Sequence, residues 1–189
     1  MKVSRAQAEE NRQRILDNAA QLFRERGFDG IGLNELMQAA GLTRGGFYGH
    51  FESKDDLAAQ AARRALQSNR DAWRQQADRS LAGWVASYLS DAHRDQPGVG
   101  CTLAALAGDA ARGGPALREV FTEGTQSLVA ALEPQMPAAE PSRRREQALA
   151  MLSTLVGAVL LSRAVGDEAL SRELREAARQ ALPAGGDVD

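Results

Sequence analysis

The side chains with the most usable chemistry in this sequence fall between Thr43 and Lys54. Arg44 carries a planar guanidinium that can donate to both guanine acceptors of a DNA major groove at once. Thr43 can cap the element that follows it, Tyr48 and His50 project away from the Phe47 and Phe51 side, and Lys54 offers a compact charge that could hold a phosphate. Gly45, Gly46 and Gly49 stand among them, and each costs about 1 kcal/mol relative to alanine inside a helix. Glycines at that density make physical sense where a helix backbone must come close to a bulky surface.

The second chemical candidate is Cys101, the chain's one cysteine. Following Pro97 to Gly100, it is expected in the first turn of a helix, where the dipole and free N–H groups lower a thiol pKa. It is either a small core residue or a thiol that senses oxidants or electrophiles. A lone cysteine forms no internal disulfide, which fits a reducing cytoplasm. Catalytic and metal chemistry find little support. His50 and His93 are the only histidines, no His-x-x-x-His or clustered Cys pattern occurs, and no glycine loop follows a strand. The chain is read as no enzyme, with no catalytic residue, metal or cofactor.

The elements that must hold these residues are helical, since no segment alternates convincingly as a strand does. Leu33 to Ala40 puts Leu33, Leu36, Met37 and Ala40 on one face. Gly41 can turn left-handed at the helix end, and Leu42 drops back as an apolar plug. Thr43 can cap a second helix running to Phe51, with Phe47 and Phe51 packed inward at i and i+4. Helix, glycine turn, helix is the outline of a DNA reader. Before it, a helix from about Ala8 to Arg26 carries the stripe Ile15, Leu16, Ala19, Leu22 and Phe23; Gly27 closes it, and Phe28 and Ile31 fold back onto the stripe. After it, Ser53 starts a long helix of the Ser-x-x-Asp kind, with Leu57, Ala61, Ala62, Ala65 and Leu66 inward, out to about Asp78. Packed helices with no DNA role would explain the apolar residues equally well, but not the glycines and the outward polar groups.

Charge lends no help. The chain's net charge is −2, and residues 1–56 hold eight cations against nine acids. Any grip on DNA must rest on where a few cations sit. No apolar run reaches the roughly 20 residues that cross a bilayer, and the N-terminus lacks the apolar stretch of a signal peptide; a cytoplasmic protein without a membrane partner is expected.

The stretch GFDGIGLNELMQAAGLTRGGFYGHFESKDDL resembles the DNA-binding domain of the TetR family of bacterial transcriptional regulators. The likeness runs from about Asn11 to Ala65 and includes the glycine turn, the Phe-Tyr-x-His-Phe end of the reading helix and the Ser-Lys start of the next. It implies Thr43 and Arg44 at the groove, and Tyr48, His50 and Lys54 on phosphates. One departure stands out: Ile31 and Gly32 occupy positions where the family often has hydroxyls, so a cap and a phosphate contact are missing there.

Beyond the reader, Leu81, Trp84, Val85, Tyr88 and Leu89 mark a helix broken by DQPGVG. Helices follow over Cys101 to Arg112, and from Pro115 with Leu117, Val120, Phe121, Gly124, Leu128 and Leu132 buried. Pro134, Pro137 and Pro141 form a polar loop. The stretch Ala148 to Leu161 is apolar nearly all round and must be buried on more than one side. A last helix from Asp167 is expected to turn Leu170, Leu174, Ala177, Ala181 and Leu182 inward, ahead of a frayed tail from Pro183. By resemblance, the last two helices pair with their copies in a second chain, and Ser153 and Gly157 permit close approach there. The expectation is an all-α protein with an N-terminal helix-turn-helix domain over 8–68 and an effector-binding and dimerisation bundle over 69–183. Its function would be that of a homodimeric repressor, released from a palindromic operator by an unidentified small-molecule effector or by thiol modification. The alternatives are an activator on the same fold and a dimeric helical interaction protein that does not bind DNA. Trp84, Tyr88, Phe121 and Met151 could line an effector pocket, though each also suits plain core.

Overall fold

The computed structural model describes residues 4–75 and 80–182, all of whose regular elements are helical. The last turn expected out to Asp78 and the tail from Pro183 lie outside the described residues. Helix α1 spans Arg5–Arg26 and α2 Leu33–Ala39. A 3₁₀ helix covers Arg44–Gly49, and α3 runs over Lys54–Gln75. The remainder is α4 (Leu81–Tyr88), α5 (Asp91–Asp95), α6 (Thr102–Arg112), α7 (Pro115–Leu132), α8 (Pro141–Ala164) and α9 (Glu168–Ala181).

Helix α1 starts three residues earlier than its apolar stripe requires, because Ser4 caps it and its Oγ accepts the Gln7 N–H at 3.1 Å. Gly27 ends it at φ 77°. Phe28 and Ile31 then turn back into the core, with the Phe28 ring 5.1 Å from that of Phe23. Their burial, with Ile15, Leu16, Leu36, Met37, Phe47 and Leu57, closes the three-helix reader around one apolar centre.

Several bonds tie the reader to the bundle, Arg63 to Glu123 at 3.1 Å among them. Arg24 donates through Nε to the Gly98 carbonyl at 2.8 Å, and the Phe28 N–H reaches Asp109 at 3.3 Å. Helices α3 and α7 cross closely at Gly124, where an added Cβ would fall 2.6 Å from Leu66 Cδ1. A side chain there would displace Leu66, so the close crossing favours glycine by packing and not by backbone angle.

Two expectations about the bundle need correction. The helix from Leu81 does not continue to the DQPGVG turn; it stops at Tyr88 and α5 begins after Ser90. Ser90 stands in an extended conformation, donates to the Ser87 carbonyl at 2.7 Å and caps the His93 N–H at 3.2 Å. A local side chain thus offers the backbone an alternative to helix.

The larger correction is the rotation of α9. Ser171, Arg175 and Ala178 face the bundle, whereas Leu170, Ala177 and Ala181 are exposed and Leu174 is half-buried. The reason is polar. Arg175 donates to the Leu89 carbonyl at 2.9 Å and to Asp91 at 2.6 Å, and the Ser171 hydroxyl donates to the Ser162 carbonyl at 2.8 Å. Those anchors outrank the leucine stripe, which is left looking outward.

Helix α8 divides its apolar residues in the same way. Ala148, Met151, Leu152, Leu155 and Val159 are core, while Leu149, Leu160 and Leu161 stay 42–51% exposed. Its length of 24 residues and its most apolar stretch would by composition suit a bilayer, but its core-facing residues serve the bundle.

Candidate nucleic-acid interface

The turn between α2 and the 3₁₀ helix is built as the sequence suggests. Gly41 has φ 70°, and the Leu42 N–H returns to the Met37 carbonyl at 2.9 Å, closing the end of α2. At the other end, Gly32 supplies no side-chain cap, and Glu35 accepts the Gly32 N–H at 3.2 Å instead. Glu35 is itself held by Arg26 at 3.0 Å, and the two contacts, the Gly32 bond first, keep its carboxyl below the usual range. Ile31 is part of the core, so the missing hydroxyls expected at Ile31 and Gly32 leave this helix start without a side-chain donor for phosphate.

The reading element itself departs from expectation. It is a 3₁₀ helix over Arg44–Gly49, not an α-helix from Thr43 to Phe51, and the Thr43 side chain makes no capping bond. The Gly46 N–H bonds to the Thr43 carbonyl at 3.1 Å and the His50 N–H to the Phe47 carbonyl at 2.9 Å. Three glycines in six residues leave little propensity to hold a full α-turn, and the tighter winding needs fewer ordered residues per bond.

Side chains on this element sort cleanly by direction. Phe47 and Phe51 are buried, their centroids 5.7 Å apart, with the Arg12 guanidinium 5.4 Å above the Phe51 ring. Thr43, Arg44 and Tyr48 are exposed, Tyr48 by 69%. His50 is half-buried at the helix end, its ring 6.4 Å from Phe51, so part of it packs and part remains open. A Cβ at Gly45 or Gly49 would meet nothing within 4 Å, and one at Gly46 only Met37 Cε at 3.9 Å. Among the described residues, no packing contact requires those glycines.

Lys54 opens α3 and is half-buried. The reader's ion pairs, Arg26 with Glu35 at 3.0 Å and Arg64 with Asp17 at 2.5 Å, leave Arg44 and Lys54 uncommitted among the described residues. Ser53 caps α3 by accepting the Asp56 N–H at 3.0 Å, and Asp56 accepts the Glu52 N–H at 3.1 Å in return. Asp55 and Asp56 line a cleft of about 630 Å3 between reader and bundle, with Asp29 and Asp109. The other oxygen of Asp56 accepts from Gln60 Nε2 at 2.7 Å, one turn on in the same helix.

Cys101 lies elsewhere, and one step outside the helix expected to contain it. It is the residue before α6, 3% exposed, with its N–H donated to His93 Nε2 at 2.9 Å. The next N–H, of Thr102, goes to Asn69 of α3 at 2.8 Å, and Asn69 also donates to the Gly100 carbonyl at 3.2 Å. The amides of Cys101 and Thr102 are thus both taken up by side chains. Sequence reasoning missed the residues that surround Cys101, Tyr88, His93 and Arg163, because they come from three separate helices.

Of the four residues weighed for an effector pocket, Trp84, Tyr88 and Met151 are core. Phe121 alone lines the apolar groove of about 530 Å3 between α6, α7 and α8, with Leu103, Ala107, Leu152 and Val156. Arg118, Thr122, Thr125 and Gln126 supply polar groups along the same groove.

Residues 15–61 match the family model for bacterial regulatory proteins of the tetR family. The HTH-type transcriptional regulator AcrR of Shigella flexneri is 46% identical over 54 residues, which are 29% of this chain and 25% of that protein. An HTH-type transcriptional regulator of Staphylococcus aureus strain USA300 is 40% identical over 62 residues, 33% of this chain and 34% of that one. The chain thus spans between a quarter and about a third of the curated relatives it matches. Over whole chains, a TetR-family transcriptional regulator from Cytophaga hutchinsonii superposes with a TM-score of 0.74 at 26% identity, covering 100% of both. The reduced form of Escherichia coli NemR superposes with a TM-score of 0.77 at 22% identity, covering 95% of this chain and 100% of that one, a likeness of fold.

Proposed function

We propose that this chain, a TetR-family transcriptional regulator by its reader and its fold, is a cytoplasmic homodimeric repressor that an effector releases from a palindromic operator. The observation that carries the reading is the divided 3₁₀ helix: Phe47 and Phe51 inward, Thr43, Arg44 and Tyr48 outward, and glycines with open space where a Cβ would stand. Arg44 is the base reader, and Thr43 stands beside it at the groove. Gly45 and Gly46 let the backbone approach, and Tyr48, His50 and Lys54 hold phosphates. The reading domain is taken as 8–68 and the bundle as 69–183.

Dimerisation is supported by the leucines that α8 and α9 leave exposed, and by Gly157, where a Cβ would meet nothing within 4 Å. Two copies related by a two-fold axis read two half-sites. The effector occupies the groove lined by Phe121 and Leu152, which lies on α7, the helix crossing α3 at Gly124. A ligand that binds better when α3 is tilted shifts the readers off their half-sites by that difference in affinity.

Thiol modification at Cys101 is the second route to release. Its support is the direct bonding of the segment before α6 to Asn69 of α3 and to Arg24 of α1, the two long helices of the reader. Its burial means that the Pro97 to Gly100 turn must open first. If Cys101→Ser releases DNA normally in the presence of an oxidant or electrophile, this route is closed.

Gel-shift titration against DNA upstream of the gene, at several salt concentrations, tests the main reading. Tight binding to one sequence that weakens steeply with salt is expected. Absence of any DNA binding, with a stable dimer, would favour the rival dimeric interaction protein. Activation in a reporter assay would reverse the sign of regulation and leave the reader's role intact.

A further inference from the structure

The link from the reading element to α3, residues 50–54, carries His50 and Lys54, both proposed above to hold phosphates. The element before it does little to fix its own position. Three of its six residues are glycine, which has the widest backbone freedom of any residue. Its inner side is held by Phe47 and Phe51, so its far end needs a separate hold.

A polar chain reaches that end from α1. The half-buried Arg12 sets its guanidinium over the Phe51 ring, and its Nη2 donates to Gln60 Oε1 on α3. Gln60 Nε2 donates to one oxygen of Asp56 at 2.7 Å, and the other Asp56 oxygen accepts the Glu52 N–H at 3.1 Å. Ser53 adds a second tie by accepting the Asp56 N–H at 3.0 Å. Phe51, the residue that Arg12 covers, donates its N–H to the Phe47 carbonyl at 3.0 Å, and its ring stands 6.4 Å from that of His50.

The residue types in this chain are set by their neighbours. A guanidinium only donates and a carboxylate only accepts, so the group between them must do both. The Gln60 amide does so in one orientation alone, oxygen toward Arg12 and nitrogen toward Asp56. Arg12 is thereby committed on two sides, to a ring face and to an amide, and the chain it starts ends on a backbone N–H of the link.

We infer that Arg12 and Gln60 are positioning residues for DNA binding, which hold the 50–54 link so that His50 and Lys54 meet the phosphate backbone; this rests on the DNA-binding reading above. They act through the link and not by contact with DNA.

The decisive variant is Gln60→Met, which changes no charge and keeps an unbranched side chain of similar length. Two measurements are made on the full chain. In amide hydrogen exchange without DNA, the Glu52 N–H should exchange about tenfold faster than in wild type. The Leu42 N–H, bonded to the Met37 carbonyl across the Gly41 turn, should keep its rate. In gel shifts against DNA upstream of the gene, affinity should fall about three- to tenfold on all sequences, with base preference kept. In a background of His50→Ala with Lys54→Ala, the same substitution should change affinity by less than about twofold, because the contacts it positions are gone. Arg12→Met should follow the same pattern in both backgrounds. An unchanged Glu52 exchange rate overturns the proposal, as does an equal loss of affinity in the two backgrounds. A loss for Arg12→Met that persists without His50 and Lys54 would put Arg12 itself on a phosphate and overturn its positioning role. Where wild type binds DNA and Gln60→Met binds as tightly, this inference alone falls; where wild type binds none, the DNA-binding reading falls with it.

Discussion

The reader's outer face and the outer face of α8 and α9 both present side chains that their own chain leaves unpaired, but they do so with opposite chemistry. The first is polar and glycine-rich, with Thr43, Arg44 and Tyr48 outward. The second carries Leu149, Leu160, Leu161 and Leu170 at 42–51% exposure. A surface of donors over a bare backbone suits a charged, hydrogen-bonding partner that must come close. A surface of leucines on two long helices suits another apolar surface and repels a polyanion's hydration. What a face leaves unpaired therefore states the chemistry of what should cover it.

Charges placed on the leucine face should have the largest effect. Leu160→Glu with Leu161→Glu is expected to raise the dimer dissociation constant by about a hundredfold or more, since each buried charge lacks a partner. Sedimentation velocity checks this, and an unchanged mass would mean that the leucines face solvent for some other reason. On the reader, Arg44→Ala should lower affinity for the preferred sequence by about 1–3 kcal/mol and relax preference at one base pair. Equal losses on every sequence would remove its base-reading role. Gly49→Ala separates the protein's needs from its partner's: stability should hold or rise by about 0.5–1 kcal/mol while DNA binding weakens. Binding that improves along with stability would show that no surface approaches there. The smallest effect is expected for Lys54→Ala, a uniform weakening across sequences with the salt slope reduced by about one.

One pH effect belongs to the interior. Burial lowers the His93 pKa below its ordinary 6.5, against a smaller opposing pull from the Tyr88 carbonyl. The unfolded chain therefore binds the proton more readily, and stability should fall as pH drops through 6.5 toward the folded value. The same fall should be reduced in His93→Asn, as measured by denaturant midpoint between pH 7.5 and 5.5. Equal falls in both proteins would assign the effect to other groups.

Much of the reader was legible because its signals are local. The stripe of Ile15, Leu16, Ala19 and Phe23, the left-handed Gly41 and the inward pair Phe47 and Phe51 all lie within a few residues of the features that fix them. What local spacing could not weigh was the balance between α and 3₁₀ winding, which the glycines tipped. The rotation of α9 was hidden for a different reason. A leucine stripe predicts its own burial, yet the helix is oriented by Arg175 and Ser171 reaching residues up to 86 positions away in sequence. The surroundings of Cys101 were likewise invisible, since Tyr88, His93 and Arg163 acquire meaning only when the helices bring them together.

The bonds from Arg24 to Gly98 and from Phe28 to Asp109 tie the reader to the bundle near their junction. In a dimer of such chains bound to its operator, the two-fold axis would set the spacing of the two readers along the duplex. One base pair inserted at the centre of the operator lengthens the gap by about 3.4 Å and turns one half-site by about 35° around the helix axis. A dimer held in its DNA-bound spacing should bind that DNA more weakly even though every contacted base is still present.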